Sequence, residues 1–321
     1  MGLSPGPSKI WDVIILGGGP AGLACAIYSC RGRFSTLLLE RMMTGGQVVL
    51  NDVIENYPGF PEGLHGFELA DRMTRHAQRF GAQIETGEVV GIDVGVRPFR
   101  LEIADGEPRF AHTILIATGS RPRRLSVPGE NEFLGRGVSY CATCDGPLFA
   151  DKRLAVVGGG DTALEESLFL ANIASKVTLI HRRDQLRGQR ILQERALAHP
   201  KIEFLWSHLV TEIVGGESVS ALRVQSVATG EGGEVPVDGI FIAVGASPQT
   251  GFLPADVRLD DNGFIKTDQD LMTSVKGIFA AGDVRAGAYR QIAFSVGDGA
   301  LAYRSIFRYL EEHGIRGSLA S

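Results

Sequence analysis

Short apolar runs recur along the chain at intervals that predict parallel strands alternating with helices. Residues 13–16 are all apolar and lead through three glycines into a helical stretch, and a second apolar run occupies residues 36–39. Runs without polar alternation are typical of parallel strands that are covered on both faces. The order strand, helix, strand predicts a βαβ unit at the start of the chain.

The same unit occurs a second time. Residues 12–41 align without a gap with residues 153–182, whose apolar runs are 154–157 and 177–180. Two further apolar runs, 113–119 and 239–245, lead into the proline-bearing stretches 120–123 and 246–249, which predict linkers. Residues 263–282 predict strands and turns, and residues 292–312 predict a closing helix.

We therefore predict an α/β fold with two Rossmann-like dinucleotide-binding domains, the second inserted into the first. Residues 1–118 and 246–321 form one predicted domain, and residues 119–245 form the other. A chain of this length is ordinarily built from about two domains, at roughly 150 residues each.

Composition restricts the possible partners. The 321 residues include 32 basic and 37 acidic residues, a net charge of -5, so no sequence-wide positive field attracts nucleic acid or anionic lipid. No apolar run approaches the ~18 residues that a membrane span needs, and the amino terminus lacks the pattern of a signal peptide. We expect a cytoplasmic protein without nucleic-acid or membrane partners. The 42 glycines, nearly twice the usual share, require a specific explanation.

The first glycine loop has the spacing Gly17-x-Gly19-x-x-Gly22 between a predicted strand and a predicted helix. This spacing allows a tight turn and close approach of a pyrophosphate to the helix amino terminus. Glu40, at the end of the second strand, is placed to accept hydrogen bonds from an adenosine ribose, so the ligand should lack a 2′-phosphate. A glycine-rich turn without a ligand is the alternative interpretation.

The second glycine loop, Gly158-x-Gly160-x-x-Ala163, keeps the same spacing. At the position equivalent to Glu40, however, the chain has a basic cluster, namely His181, Arg182, Arg183 and Arg187. Guanidinium groups bind phosphate through forked hydrogen bonds, so the cluster favours the 2′-phosphate of NADP over the hydroxyl of NAD. A solvated charged loop is the alternative.

Two nucleotide sites with opposite ribose chemistry indicate that electrons pass between two dinucleotides, one of which we expect to be FAD. Asp283, after Gly282 and a predicted buried strand, supports this expectation because it can accept hydrogen bonds from a ribityl chain. A helix that starts near Gln291 would stabilise negative charge on the reduced flavin ring. An ordinary helix-capping aspartate would look similar in sequence.

The four cysteines fall into two classes. Cys141 and Cys144 are separated by two residues and are followed at once by Asp145. A structural zinc site needs about four ligands, and the chain has no second pair, so we expect no metal. The pair is suited to cycling between dithiol and disulfide, with Asp145 as its acid/base or as a plain turn residue. Cys25 and Cys30, five residues apart on a predicted helix, are expected to be buried apolar residues that do not pair.

Several motifs occur in an order that is similar to that of the low-molecular-weight thioredoxin reductases, from about residue 12 to residue 310. They are Gly17-Gly18-Gly19-Pro20-Ala21-Gly22, Gly45-Gly46-Gln47, Glu55-Asn56-Tyr57-Pro58-Gly59, Ala117-Thr118-Gly119, Cys141-Ala142-Thr143-Cys144-Asp145-Gly146, the basic cluster, Gly282-Asp283 and Tyr289-Arg290-Gln291. The cysteine motif is highly specific to that family. Two residues depart from its pattern: Pro147 replaces an aromatic residue and Ile292 replaces an alanine.

The resemblance implies a homodimeric flavoenzyme in which NADPH reduces FAD, FAD reduces the Cys141–Cys144 disulfide, and the dithiol reduces thioredoxin. It implies that Cys144 contacts the flavin, Cys141 attacks the thioredoxin disulfide and Asp145 is the acid/base. It also implies that the inserted domain rotates on its two linkers so that both reactions use one flavin face.

The residues expected to bind the cofactors follow from the same motifs. For FAD they are Gly17, Gly19, Pro20, Ala21, Gly22, Glu40, Gln47, Asn56, Thr118, Gly119, Asp283, Arg290 and Gln291. For NADPH they are Gly158, Gly160, Asp161, Thr162, His181, Arg182, Arg183 and Arg187.

Three other functions are compatible with parts of the pattern. A disulfide reductase with another donor, such as ferredoxin, conflicts with the intact arginine cluster. A flavoprotein with a different acceptor would lack the cysteine pair or carry an added thioredoxin-like module. A nucleotide-sensing protein would bind both nucleotides without thiol turnover.

Overall fold

A computed structural model describes residues 9–50 and 54–317. The chain divides into two compact units: residues up to Arg121 together with those from Ser247 onward form the first, and Pro122–Ala246 form the second. Each predicted linker lies where the chain passes from one unit to the other.

The amino-terminal part of the first unit carries most of its strands. Its elements are β1 (Ile10–Leu16), α1 (Pro20–Arg31), β2 (Thr36–Glu40), α2 (Gly66–Arg79), β3 (Gln83–Thr86), β4 (Val89–Asp93), β5 (Phe99–Ile103), β6 (Arg109–Ile116) and β7 (Ser120–Pro122).

The second unit begins at Pro122, the last residue of β7. It contains β8 (Val138–Ser139), α3 (Ala142–Asp145), β9 (Arg153–Gly158), α4 (Asp161–Ala171), β10 (Lys176–His181), α5 (Arg190–Ala198), β11 (Ile202–Trp206), β12 (His208–Gly215), β13 (Val219–Ser226), β14 (Gly232–Pro236) and β15 (Gly239–Ala243). The chain then returns to the first unit through β16 (Ala246–Pro248), β17 (Ile278–Ala280) and α6 (Ile292–Glu312).

The sheet of the first unit has the strand order β3-β2-β1-β6-β5-β4, and β17 also pairs with β6. The five strands β3, β2, β1, β6 and β17 are parallel, whereas β5 and β4 pair antiparallel. The parallel register brings Leu16 opposite Leu39 and Ile116, with Ala280 also opposite Ile116. The carboxyl ends of four strands therefore reach one edge of the sheet together.

Side chains alternate between the two faces of this sheet. Val13 and Ile15 pack with α1 and α6 on one face, whereas Ile14 and Leu16 pack on the other face with Phe99 and its neighbours. Because both faces are buried, the central strands contain successive apolar positions, such as residues 13–16 in β1, rather than alternate ones. This explains the uninterrupted runs seen in the sequence.

The second unit has an all-parallel sheet of order β11-β10-β9-β15-β8 and a separate antiparallel sheet of order β12-β13-β14. Two apolar clusters cover the faces of the parallel sheet, with Ala155 and Val157 on one face and Leu154 and Val156 on the other. The two parallel sheets confirm the prediction of an α/β fold with two Rossmann-like domains.

The two linker strands, β7 and β16, pair with each other as a two-stranded sheet. Next to them, the Gln249 side-chain amide donates to the Thr118 carbonyl at 2.6 Å, and the Thr118 hydroxyl donates to the Gln249 carbonyl at 2.8 Å. The outgoing and returning chain segments are thereby tied together at the edge of the first unit.

Candidate functional site

The residues expected to bind FAD gather at the carboxyl ends of the strands in the first unit. Gly17 follows β1, Glu40 ends β2, Thr118 comes two residues after β6, and Asp283 comes three residues after β17. In open α/β sheets, ligands bind in the crevice outside these strand ends. The strand register therefore places the predicted residues where that fold binds ligands.

The glycine loop after β1 is shaped by close backbone contacts. Gly17 has a φ of +105°, and a Cβ there would lie 2.4 Å from the Ala117 carbonyl oxygen, while a Cβ on Gly22 would lie 2.0 Å from the Gly17 oxygen. A Cβ on Gly19, by contrast, meets nothing within 4 Å. The outer glycines are needed for packing, and the middle one leaves open space at the start of α1. This space fits a pyrophosphate that approaches the helix amino terminus.

Glu40 contacts this loop through one carboxylate oxygen and the turn after β2 through the other. Its Oε2 accepts the Gly18 N–H at 2.8 Å, and its Oε1 accepts the Met42 N–H at 3.1 Å. Each carboxylate oxygen has a second acceptor position, so the ribose contact expected from the sequence is still available. The carboxylate thus also has a structural function, orienting the glycine loop.

Other predicted FAD residues come together from distant parts of the chain. The Asn56 amide donates to Gln291 Oε1 at 3.1 Å, although the two are 235 residues apart. The Gly45 N–H donates to the Gly18 carbonyl at 2.7 Å, which brings the turn containing Gln47 next to the glycine loop.

Asp283 lies in a short 3₁₀ turn, Gly282–Val284, just before α6. Burial raises the pKa of its carboxyl, and the nearby positive charge of Arg290 and a hydrogen bond from Ser295 (3.3 Å) oppose that rise. The Gly282 N–H donates to Asp298 on α6 at 2.9 Å and so fixes the turn. The turn presents a partly shielded carboxyl beside the helix start at Gln291.

The second unit repeats the glycine loop with one change. A Cβ on Gly158 would lie 2.4 Å from the Ala243 carbonyl oxygen, and Gly160, like Gly19, has nothing within 4 Å of its Cβ position. Gly159 is equivalent to Gly18, which Glu40 contacts in the first unit. In the second unit the buried ring of His181 lies against Gly159, within 2.2–2.5 Å of the position that a Cβ on Gly159 would occupy. His181 thus supports the loop from behind.

The basic loop that follows β10 is folded back onto the glycine loop. The Arg187 N–H donates to the Gly159 carbonyl at 2.7 Å, the Gln189 N–H donates to Asp161 Oδ1 at 2.6 Å, and His181 Nε2 lies 3.0 Å from the Gln185 carbonyl. Burial lowers the pKa of His181, and the charge of Arg187 lowers it further.

The three arginines of this loop, Arg182, Arg183 and Arg187, are exposed, and none of their side chains takes part in a hydrogen bond or ion pair within residues 9–50 and 54–317. Thr162, at the start of α4, is exposed as well. The loop therefore presents uncompensated guanidinium groups near the open space at Gly160. This arrangement fits a phosphate-bearing ligand.

A disulfide joins Cys141 and Cys144, with 5.4 Å between their Cα atoms. The pair follows β8 at the carboxyl edge of the parallel sheet, the same edge that carries the Gly158 loop. Both cysteines are half-buried; Cys141 caps the amino end of the short helix α3, and Cys144 is the third of its four residues.

Asp145 ends α3 and is hydrogen-bonded to Ser139. The Ser139 hydroxyl donates to Asp145 Oδ2 at 2.5 Å and accepts the Cys141 N–H at 3.0 Å. Burial raises the pKa of Asp145, and the Ser139 hydrogen bond partly opposes this. A carboxyl that stays protonated to higher pH than usual can donate a proton to a departing thiolate.

Two residues near the disulfide were not predicted. Ser139 links Asp145 to the backbone of Cys141, and Glu166 on α4 accepts the Ala142 N–H at 3.4 Å. Ser139 lies in a two-residue strand, and Glu166 reaches the cysteine turn only because α4 packs against α3. No local spacing in the sequence indicates either contact.

The remaining cysteines are confirmed as buried and unpaired. Cys25 and Cys30 are free thiols on α1, and burial raises the pKa of Cys25 to about 12. Within the described residues, no group of three or more metal-ligating side chains is found. In that same part of the chain, no helix combines the length and apolarity of a membrane span.

Comparison with known proteins agrees with this arrangement. Residues 11–299 match the family model described as pyridine nucleotide-disulphide oxidoreductase. A thioredoxin reductase of Treponema pallidum is 46% identical over 302 residues, which cover 94% of this chain and 97% of that protein.

Solved structures give the same result. The thioredoxin reductase of Streptococcus pyogenes has a TM-score of 0.87 and 43% identity, covering 95% of this chain and 100% of the other. That of Giardia duodenalis has a TM-score of 0.90 and 33% identity, again with 95% and 100% coverage. The chain belongs to the pyridine nucleotide-disulphide oxidoreductases and, within them, to the thioredoxin reductases.

Proposed function

We propose that the chain is an NADPH-dependent reductase of thioredoxin, in which NADPH reduces FAD, FAD reduces the Cys141–Cys144 disulfide, and the dithiol reduces thioredoxin. The main observation is the Cys141–Cys144 disulfide beside the buried carboxyl of Asp145, on the sheet edge that also carries the second glycine loop. The names of its relatives support thioredoxin as the substrate.

The proposal assigns FAD to the first unit. Its glycine loop leaves open space at Gly19, Glu40 orients that loop, and Asp283 stands before α6. When bound there, FAD supplies the ability to take up a hydride and to pass on two electrons. In this assignment Glu40 receives the ribose, and Asn56 and Gln291, which already bond to each other, line the flavin side.

NADPH is assigned to the second unit. The open space at Gly160 receives the pyrophosphate, and Arg182, Arg183 and Arg187 receive the 2′-phosphate. Ferredoxin, the alternative donor, would leave these exposed and uncompensated guanidinium groups without a function.

The thiol chemistry needs only residues of this chain and a disulfide substrate. The Cys141 thiolate attacks one sulfur of the thioredoxin disulfide, the substrate S–S bond breaks, and a mixed disulfide forms. The departing thiolate takes a proton from Asp145, whose raised pKa keeps that proton available. Cys144 then passes its proton to the ionised Asp145 and attacks the Cys141 sulfur, the bond between Cys141 and thioredoxin breaks, and reduced thioredoxin leaves as the Cys141–Cys144 bond is restored.

Partners and location follow from the same family membership. We propose a homodimer that acts in the cytoplasm, with thioredoxin as its protein partner and without nucleic acid or membrane. We also propose that residues 119–245 act as the NADPH domain, inserted between the two parts (1–118 and 246–321) of the FAD domain.

An anaerobic titration with NADPH tests the proposal. The expected result is bleaching of the flavin and two new thiols per chain, and thioredoxin then reoxidises those thiols. Cys141→Ser and Cys144→Ser should each keep flavin reduction but lose thioredoxin reduction. Cys30→Ala, a matched change at a buried free thiol, should keep both. Thioredoxin reduction by either Ser variant at the parent rate would contradict the proposal.

A further inference from the structure

Glu166 lies directly behind the cysteine motif. It stands on α4, which packs against α3, and its Oε1 accepts the N–H of Ala142 at 3.4 Å. Ala142 is fully buried and follows Cys141, so the carboxyl reaches the backbone between the two disulfide cysteines. The residue is therefore coupled to the disulfide through one peptide group.

The second oxygen of Glu166 has no partner. Its Oε2 is buried and accepts or donates no hydrogen bond within the described residues. An ionised carboxylate with an unpaired buried oxygen is costly, whereas the protonated carboxyl avoids most of that cost. Burial accordingly raises the pKa of Glu166 to about 7; the Ala142 N–H opposes that shift, and the charge of Glu165 adds to it.

The charged groups around Glu166 do not neutralise it. On α3 the titratable groups are Asp145, bonded to Ser139, and the two cysteines once they are reduced. The titratable side chains on the neighbouring strands are engaged elsewhere: Arg153 pairs with Asp238, Lys176 pairs with Glu203, and His181 bonds to the Gln185 carbonyl. On α5, Arg190, Glu194 and Arg195 are exposed.

We propose that Glu166 is a positioning residue for the thiol reaction. In the reduced cysteine pair one sulfur is a thiolate, and the nearby Glu166 carboxyl holds the proton that this sulfur lacks. Reduction of the disulfide takes two electrons and one proton to give one thiol and one thiolate. The new negative charge disfavours a second one on Glu166, so the carboxyl takes up the second proton from solvent. When the thiolate attacks a substrate disulfide and loses its charge, Glu166 is free to release that proton.

This inference rests on the proposed function only in requiring that the Cys141–Cys144 pair cycles between disulfide and dithiol. Asp145 and Glu166 have different tasks in it. Asp145 gives a proton to a departing sulfur, whereas Glu166 acts through the Ala142 peptide and stabilises the thiolate by holding a proton while the pair is reduced.

The test measures how fast iodoacetamide alkylates a single thiol as a function of pH. FAD-loaded Cys144→Ser, which retains Cys141, is kept reduced with a phosphine, and Cys141→Ser reports on Cys144 in the same way. For at least one thiol we expect a profile broader than a one-proton curve, because Glu166 and the thiol titrate together. Adding Glu166→Gln should narrow that profile and move its midpoint to lower pH.

The expected change in alkylation rate follows from the fraction of the cysteine that is present as thiolate. A downward shift of one pKa unit raises alkylation about tenfold below the midpoint. Glu165→Gln is the matched control, since it removes an equal charge from an exposed position on the same helix, and it should keep the broad profile. Identical profiles with and without Glu166→Gln for both thiols would overturn the proposal.

A second measurement avoids the substitution at Glu166. In a reduced-minus-oxidised infrared difference spectrum near neutral pH, reduction should increase the protonated-carboxyl signal, and the increase should persist in Asp145→Asn. No increase in that variant would overturn the proposal. Failure of NADPH to reduce the disulfide would overturn the proposed function alone, because both measurements can use chemically reduced protein.

Discussion

Ser139 shows how much one small side chain can organise. Its hydroxyl donates to Asp145 and accepts the N–H of Cys141, so it joins the Asp145 carboxyl to the backbone of Cys141. Ser139 is buried, so neither partner has a ready replacement from solvent. The hydrogen bond to Asp145 favours the ionised carboxylate and therefore limits how far burial raises its pKa.

Ser139→Ala is predicted to raise the pKa of Asp145 further, since the donor to its carboxylate is lost while the burial remains. Thiol-disulfide exchange requires protonated Asp145 in our proposal, so the alkaline limb of its pH profile should move to higher pH. Stopped-flow reoxidation of the dithiol by thioredoxin measures this limb.

Ser139→Thr keeps a hydroxyl at the same position and serves as the control, with an unshifted profile expected. The alanine variant should also lose about 1–3 kcal/mol of stability, because the Cys141 N–H is left without its acceptor. An alkaline limb that moves to lower pH in Ser139→Ala would show that the hydrogen bond does not favour the carboxylate.

Single residues also mark the limit of what the sequence predicts. Glu40 and the arginine cluster were predicted because the internal repeat places them at equivalent strand ends. In this fold, the residues at these strand ends contact the adenosine ribose. Ser139 and Glu166 carry no such signal, since their contacts depend on a two-residue strand and on the packing of α3 against α4. Burial and helix packing are tertiary properties that no local spacing encodes.

At the scale of elements, the basic loop after β10 is restrained by hydrogen bonds to α4 and to the second glycine loop. Asp161, at the first position of α4, accepts the Gln189 N–H at 2.6 Å, and Gly159 accepts the Arg187 N–H at 2.7 Å. The sequence suggested that Asp161 contacts NADPH. In the structure its Oδ1 accepts a hydrogen bond from the loop that carries the arginines, and we propose that this bond positions their guanidinium groups.

Asp161→Ala is predicted to weaken the preference for NADPH, because the arginine loop loses one of its anchors. The ratio of KM for NADH to KM for NADPH should fall about three- to tenfold, which corresponds to roughly 0.6–1.4 kcal/mol. A carboxylate that merely repelled the phosphate would have the opposite effect, since its removal would strengthen NADPH binding.

Asp184→Ala is the matched control for this prediction. It removes the same charge from an exposed position in the same loop without removing a hydrogen bond to the loop backbone. In Asp184→Ala, the ratio of KM for NADH to KM for NADPH should stay equal to or above that of the parent. Asp161→Asn keeps a hydrogen-bond acceptor and should therefore restore most of the preference for NADPH. Equal losses in Asp161→Ala and Asp184→Ala would argue against the anchor.

The regular elements were largely predictable from the apolar pattern. The closing helix spans Ile292–Glu312 as expected, and the strands of both repeats appear with ends extended by one to three residues. These elements have one or both faces buried, so their apolar residues form continuous or periodic patterns in the sequence. The three-stranded sheet β12-β13-β14 has largely exposed residues at alternate positions and was not singled out.

At the scale of the whole molecule, each unit has its own apolar core. Residues of β1 and β2 fill the clusters of the first unit, and residues of β9 and β10 fill those of the second. The chain crosses between the units through β7 and β16, which pair with each other beside the mutual bonds of Thr118 and Gln249. The chain segments that lead into and out of the second unit are therefore paired with each other.

This arrangement predicts that the second unit can unfold while the first stays folded, as a loop whose ends remain joined at β7 and β16. Calorimetry of the FAD-loaded protein should then show two transitions.

Adenosine 2′,5′-bisphosphate, at about 100 times its dissociation constant, stabilises the unit that binds it by about 2.7 kcal/mol. This ligand should raise the midpoint temperature of one transition by several degrees and leave that of the other unchanged. Adenosine 5′-monophosphate should raise the same midpoint far less. In Arg182→Ala with Arg187→Ala the shift should disappear. A single transition that moves as a whole would mean that the two cores unfold as one cooperative structure, because ligand binding to one unit would then stabilise both.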